Sequence, residues 1–116
     1  MRDLLLQGAG VAAIAVAVIH GTLGETKVFP RARIEPERLR TLIRLVWQAS
    51  TVAWIGGGVL LIAAPWMDSE PARRWIVTTM ACVYGLSALA NAWATRGRHF
   101  GWMALSAVVA LAVAGY

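Results

Sequence analysis

The stretch that decides the fold begins at His20-Gly-Thr-Leu-Gly-Glu25 and continues through Lys27, Arg31, Arg33, Arg38 and Arg40 to Arg44. It holds six of the chain's eleven basic residues, three of its six acids and one of its two histidines. An almost uninterrupted apolar run, residues 4–23, precedes it, and a second, residues 45–64, follows it. A membrane helix needs about 20 consecutive mostly apolar residues. The polar stretch therefore reads as a joint between two spans.

Composition extends that reading to the whole chain. Of 116 residues, 59% are hydrophobic and only 15% charged, with a mean hydropathy of +0.61, whereas soluble domains carry roughly 25% charged residues. Four apolar runs fit, at about 4–23, 40–64, 73–95 and 99–115, and nothing remains for a soluble domain. The expected fold is all-α: one polytopic integral membrane domain, an antiparallel four-helix transmembrane bundle with a basic joint at 25–36. The net charge of +5 sits at helix ends, as the positive-inside bias requires, so it does not point to nucleic acid. Cys82 is alone and forms no intrachain disulfide. The first run is not a secretory leader in character: its flank is Arg2-Asp3 and its apolar core exceeds the roughly 7–15 residues of a signal.

Small residues recur along the spans. Ala9, Ala13, Ala17 and Gly21 fall at every fourth position of span one, and Ala49, Ala53 and Gly57 do the same in span two. Such rows let backbones approach closely, and close packing drives helix association in lipid. Ala9, Ala13, Ala17, Gly21, Ala53 and Gly57 are the expected helix-contact positions, and the triplet Gly56-Gly57-Gly58 reads as a close crossing. Pro36 suits the first turn of helix two, with Glu37 at the positive end of its dipole. Ser69 or Asp68 is placed to cap helix three, with Pro71 just inside it. The tryptophans are expected to serve as interfacial belt and packing residues.

One polar layer stands out. His20, Gln48 and Asn91 each lie about a turn inside the same end of their spans, and His99 opens the fourth. Glu25, Arg96 and Arg98 lie just beyond. In an antiparallel bundle helices one and four are neighbours, which brings His20 toward His99. Intramembrane polar groups default to a functional hypothesis. The layer can be structural, hydrogen-bonding across helices, or it can relay protons or ions through His20 and Glu25. A third arrangement ligates a b-type haem between His20 and His99, with Arg96 and Arg98 toward the propionates. No resident metal is expected, because His20, Glu25 and His99 make three ligands at best where structural zinc takes four. No cofactor is expected either, and no enzyme motif is present: there is no nucleophile elbow, zinc helix or phosphate loop.

The segment His20-Gly-Thr-Leu-Gly-Glu25, Trp47 about twenty residues later, and Gly97-Arg98-His99 together resemble a group of small, uncharacterised four-span bacterial membrane proteins. That group often has a histidine after the tryptophan; Gln48 stands there instead, which argues against a three-histidine site. The resemblance implies a four-span topology in the bacterial inner membrane and singles out His20, Glu25 and His99. The functional expectation is a protein acting through helix-face contacts, with itself as a homo-oligomer or as an accessory subunit of a membrane complex. The alternative is a small proton- or ion-coupled transporter using the polar layer, and the third is a bis-His b-haem carrier.

Orientation follows from charge. Joints one–two and three–four carry Lys27, Arg31, Arg33, Arg38, Arg40, Arg44, Arg96 and Arg98, against Arg2, Arg73 and Arg74 on the other side. Lys/Arg excess marks the cytoplasmic face, so both termini are expected outside. In a Cys82→Ala background, Thr26→Cys should resist an impermeant thiol reagent added to intact cells, whereas Ser69→Cys should react. Labelling of Thr26→Cys from outside would reverse the orientation.

Overall fold

The computed structural model describes all 116 residues, and the chain is helical throughout with no strand. Helix α1 spans Arg2–Leu23 and widens at its end into a π-helical turn, Gly24–Val28. Helix α2 is Glu37–Ala63, followed by a 3-10 turn, Ala64–Met67. Helices α3, Glu70–Thr95, and α4, Gly101–Ala114, complete the chain. Three of the four, α1, α2 and α3, are long and apolar enough to cross a membrane.

Local sequence sets the boundaries. Pro30 lacks an N–H and ends the first helical stretch just after Phe29. Pro36 precedes α2 as its N-cap, and Glu37 occupies the first turn. Ser69 caps α3, its Oγ accepting the Ala72 N–H at 3.3 Å, with Pro71 in the first turn. The reversal into α4 uses two consecutive left-handed residues, Arg96 (φ 53°) and Gly97 (φ 73°). The Gly97 N–H bonds back to the Ala92 carbonyl at 2.8 Å, the 6→1 closure of a Schellman motif.

The bundle is organised around α1, which packs against both α2 and α4, while α3 packs chiefly on α4. Facing residues run in opposite directions along each pair. Gly10 meets Gly58 and Gly21 meets Thr51, while Gly115 lies against Leu6 and Gly101 against Asn91. The core contains Leu6, Ala9 and Ala13 of α1, Leu61 of α2, Tyr84 and Ala88 of α3, and Leu105 and Val108 of α4. Helices α2 and α3 touch only lightly and are joined by Tyr84, whose hydroxyl donates to the Trp54 carbonyl at 2.7 Å.

The row on α1 is buried along its length: Ala9, Ala13 and Ala17 are at most 1% exposed, and Gly21 is buried. The row on α2 is not. Ala53, expected at a contact, is exposed, as is Ala49, and only Gly57 is covered. At 3.6 residues per turn, an every-fourth-residue row drifts about 40° per step around the helix. Helix α1 tolerates that drift because it is flanked on two sides, whereas α2 has one close neighbour. The residues of α2 that face α1 include Trp47, Gln48, Thr51, Gly58 and Ile62. Of the glycine triplet, Gly58 meets the backbone of Gly10, Gly57 abuts Met80 and Tyr84, and Gly56 has open space around it. The helix runs unbroken through all three.

Helix α4 opens at Gly101 rather than His99 and has 14 residues. At about 1.5 Å per residue that is roughly 21 Å, short of a hydrocarbon core of about 30 Å. Its far end is held by Arg73, which donates to the Gly115 carbonyl at 2.8 Å and pairs with Asp3 at 2.8 Å.

Two glycines of α2, Gly56 and Gly58, should separate by sign. A Cβ at Gly58 would lie 2.7 Å from the Gly10 carbonyl oxygen, and overpacking costs about 1–3 kcal/mol, so Gly58→Ala and Gly10→Ala should destabilise. Gly56→Ala meets nothing and should gain up to about 1 kcal/mol of helix propensity. Thermal unfolding in detergent checks this; equal effects at Gly56 and Gly58 would remove the crossing as the cause.

Candidate functional site

The widening of α1 at Gly24–Val28 begins four residues after His20, and it coincides with the place where α2 lays a tryptophan across the helix. A Cβ at Gly24 would run into the Trp47 indole, and one at Gly21 would lie 2.9 Å from Thr51. The two glycines thus let Trp47 settle on the α1 backbone, where its Nε1–H donates to the His20 carbonyl at 2.9 Å. Single π turns of this kind are frequent at functional sites.

His20 is the centre of the arrangement. Its ring stacks on Trp47 with centroids 4.2 Å apart and planes within 8°, and it also packs on Trp54 at 4.5 Å. Its Nε2 lies 3.1 Å from Ser50 Oγ. The single Ser50 hydroxyl proton is already committed to the Trp47 carbonyl at 2.6 Å. Ser50 therefore accepts from His20 Nε2–H, and in the neutral imidazole Nδ1 keeps a free lone pair. His99 shows the opposite pattern: its Nδ1 accepts the Gly101 N–H at 3.0 Å, which leaves the proton on Nε2.

A cavity of about 180 Å³ lies between these groups. His20 comes from α1, Trp47 and Trp54 from α2, Asn91 and Thr95 from α3, and His99 from the turn before α4. Asn91 Oδ1 is buried without a hydrogen-bond partner, a condition uncommon enough in folded proteins to require a cause. A larger concavity of about 690 Å³ at the other end, bordered by Glu70, Arg74, Trp75 and Tyr116, is a surface hollow made almost wholly by one helix and the chain end. The smaller cavity is where all four helices converge.

The polar layer of the sequence thus divides in two. His20, Asn91 and His99 share the cavity, but Glu25 and Gln48 do not reach it. Glu25 is exposed and takes a bidentate grip from Arg44, with oxygen–nitrogen distances of 2.6–3.1 Å, and Gln48 Nε2 bridges Glu25 at 2.9 Å to the Gly21 carbonyl at 3.1 Å. His20 and Glu25 are therefore not partners. The Arg44 hydrogen bonds hold the Glu25 carboxyl below the usual carboxylate range, with Gln48 assisting. The pair is intact at neutral pH and is lost only as pH falls through that depressed value. Arg96 and Arg98 are exposed and stand outside the cavity.

The geometry bears on the His20–His99 ligand pair at two points in this conformation. With its Nδ1 lone pair taken by Gly101 and its Nε2 protonated, His99 has no free lone pair to ligate iron. A cavity of about 180 Å³ also falls below the roughly 300–1,000 Å³ of ordinary cofactor and drug sites. No three His, Cys, Asp or Glu side chains are grouped to hold a metal ion.

Ser50, Trp47, Trp54 and Arg44 are participants outside the polar layer read from the sequence, which assigned the tryptophans only belt and packing roles. Trp47, Ser50 and Trp54 recur at three- and seven-residue intervals, the spacing of one helix face. That pattern was available; the register placing it against His20 was not. Trp47→Phe should keep the stacking and lose one hydrogen bond, about 0.5–1.5 kcal/mol, while Trp47→Ala should cost clearly more by thermal unfolding. Equal losses would mean that the indole does not pack on His20.

No protein-family model matches the chain, and no curated protein or solved structure matches it significantly.

Proposed function

We propose that the chain is an integral protein of a bacterial inner membrane, with its basic joints cytoplasmic and both termini outside, and that it handles a small solute in the cavity beneath the basic face. The apolar exterior supports the membrane setting. Leu4, Val11, Val52, Leu86, Leu89 and Trp93 are each more than half exposed, an arrangement suited to acyl chains and unfavourable in water. The short α4 is accommodated by local thinning of the bilayer or by the polar turn before it reaching headgroup level.

The observation that carries the solute-handling role is the convergence in one cavity of His20, Asn91 and His99 with two indoles, Asn91 Oδ1 being left unpartnered. Polar groups within an apolar bundle are costly, and their side chains usually mark a substrate or ion path. A purely structural layer would pair its own members, as Glu25, Arg44 and Gln48 do.

Helix-face contact remains a second reading on a different footing. The α1 row is consumed inside the bundle, so the outward positions are Ala49, Ala53 and Gly56 of α2, all exposed. Either a second copy or a subunit of a larger complex would pack there.

Native mass spectrometry of the full chain from mild detergent separates the two. Solute handling predicts a monomer with a noncovalent small-molecule adduct that disappears in Leu105→Trp, which fills the cavity. A stoichiometric multimer without any adduct would favour helix-face contact and defeat the solute site.

A further inference from the structure

The hydrogen-bonding inventory of the cavity narrows the solute. Resting on the solute-site reading above, we infer that the cavity takes an uncharged molecule of about one-ring size bearing a hydroxyl group, an alcohol or a phenol. Size comes first: about 180 Å³ is close to the roughly 150 Å³ apolar cavity that accommodates a benzene ring. Charge comes next. No Asp, Glu, Lys or Arg lines the walls, whose apolar members are Val16, Leu23, Val28, Trp47, Trp54 and Leu105, while the Thr95 hydroxyl spends its proton on the Asn91 main-chain carbonyl. An ion entering there would be desolvated without a counter-charge, a large penalty.

Polarity then selects the functional group. In its neutral form His20 offers a bare Nδ1 as acceptor, because Nε2–H is given to Ser50. His99 offers Nε2–H as donor, because Nδ1 is held by Gly101. Asn91 adds its side-chain amide to the wall, with Nδ2 donors that no protein group accepts and a buried Oδ1 without a protein partner. A hydroxyl both donates and accepts, so it answers both kinds of group; an ether or ketone only accepts, and a hydrocarbon does neither. Sites lined by polar groups discriminate against analogues that leave those groups unpaired. The indole and aliphatic walls meet the apolar remainder of the molecule. Such a ring hydroxyl can arrive as a free phenol from water or as the head of a lipid-tailed hydroquinone in the bilayer.

The test is isothermal titration of the full chain in detergent micelles, using phenol, anisole and toluene as probes. Phenol should bind saturably at one site per chain, at least tenfold more tightly than anisole or toluene after correction for micelle partitioning. Asn91→Leu should remove most of that preference while leaving toluene unchanged, and Leu105→Trp should abolish binding of all three. The phenol-to-toluene ratio on the unaltered protein needs no variant, so the inference stands or falls even if both substitutions fail to fold. Displacement of phenol by decyl-hydroquinone, but not by decylbenzene, assigns the hydroxyl to a membrane-borne ligand; displacement by neither assigns it to an aqueous one. Non-saturable phenol binding, or phenol and toluene of equal strength, overturns the hydroxyl class. If methylammonium or benzoate then binds saturably, the cavity is still a solute site and only the class is wrong. If no probe binds and native mass spectrometry shows no adduct, both inferences fail together.

Discussion

The close approach of α1 and α2 at Gly10 and Gly58 is the constraint on which the rest of the structure depends. Each glycine occupies space that a Cβ on the other would need, since the facing atoms are backbone and Ile14 or Ile62. In lipid no hydrophobic force drives two apolar helices together, so van der Waals contact at such crossings supplies the association. With the backbones that close, the same two helices meet again at Gly21 and Gly24, where Thr51 and Trp47 take the place of missing side chains. The site is therefore a downstream consequence of the crossing: move the helices apart and Trp47 loses the His20 carbonyl.

The π-helical turn Gly24–Val28 reconciles two demands at that end of α1. His20 must keep its ring on the indoles and its Nε2 on Ser50, while Glu25, five residues on, pairs with Arg44 and Gln48. The wider turn lets both be satisfied in neighbouring positions. It also brings Leu23 and Val28 to the cavity wall. An exposed ion-pair cluster and a neutral hydrogen-bonding cavity are thus built from adjacent residues with different surroundings.

At the opposite end a different device holds the bundle. Helix α4 is the shortest of the four, with 14 residues, and the Gly115 carbonyl lies just past its last turn. Arg73 donates to that carbonyl from α3 while pairing with Asp3 of α1, tying three helices at one side chain that is only 12% exposed. A cation at a helix C-terminus is also favoured by the dipole. The bundle is accordingly closed by glycine packing in the middle, by Arg73 at one end and by the Trp47 hydrogen bond at the other.

Helical class, the number of helices, a cap at Ser69 or Asp68, a helix start near Pro36, and the pairing of α1 with α4 were legible in the sequence, because they follow from apolar run length, from residues with restricted backbones and from the need of short joints to connect neighbours. The His20, Asn91 and His99 level was legible for the same reason: depth along a helix is counted in residues. Rotation about the helix axis was not. It depends on which neighbour each helix has, so the row through Ala53 turned outward, and of the glycine triplet expected at a crossing Gly58 met α1 while Gly57 met α3. Hydrogen-bond partnership was equally out of reach. Glu25 is near His20 in sequence, yet Arg44 and Ser50 separate them, and both arrive from α2 at a register that only packed backbones decide.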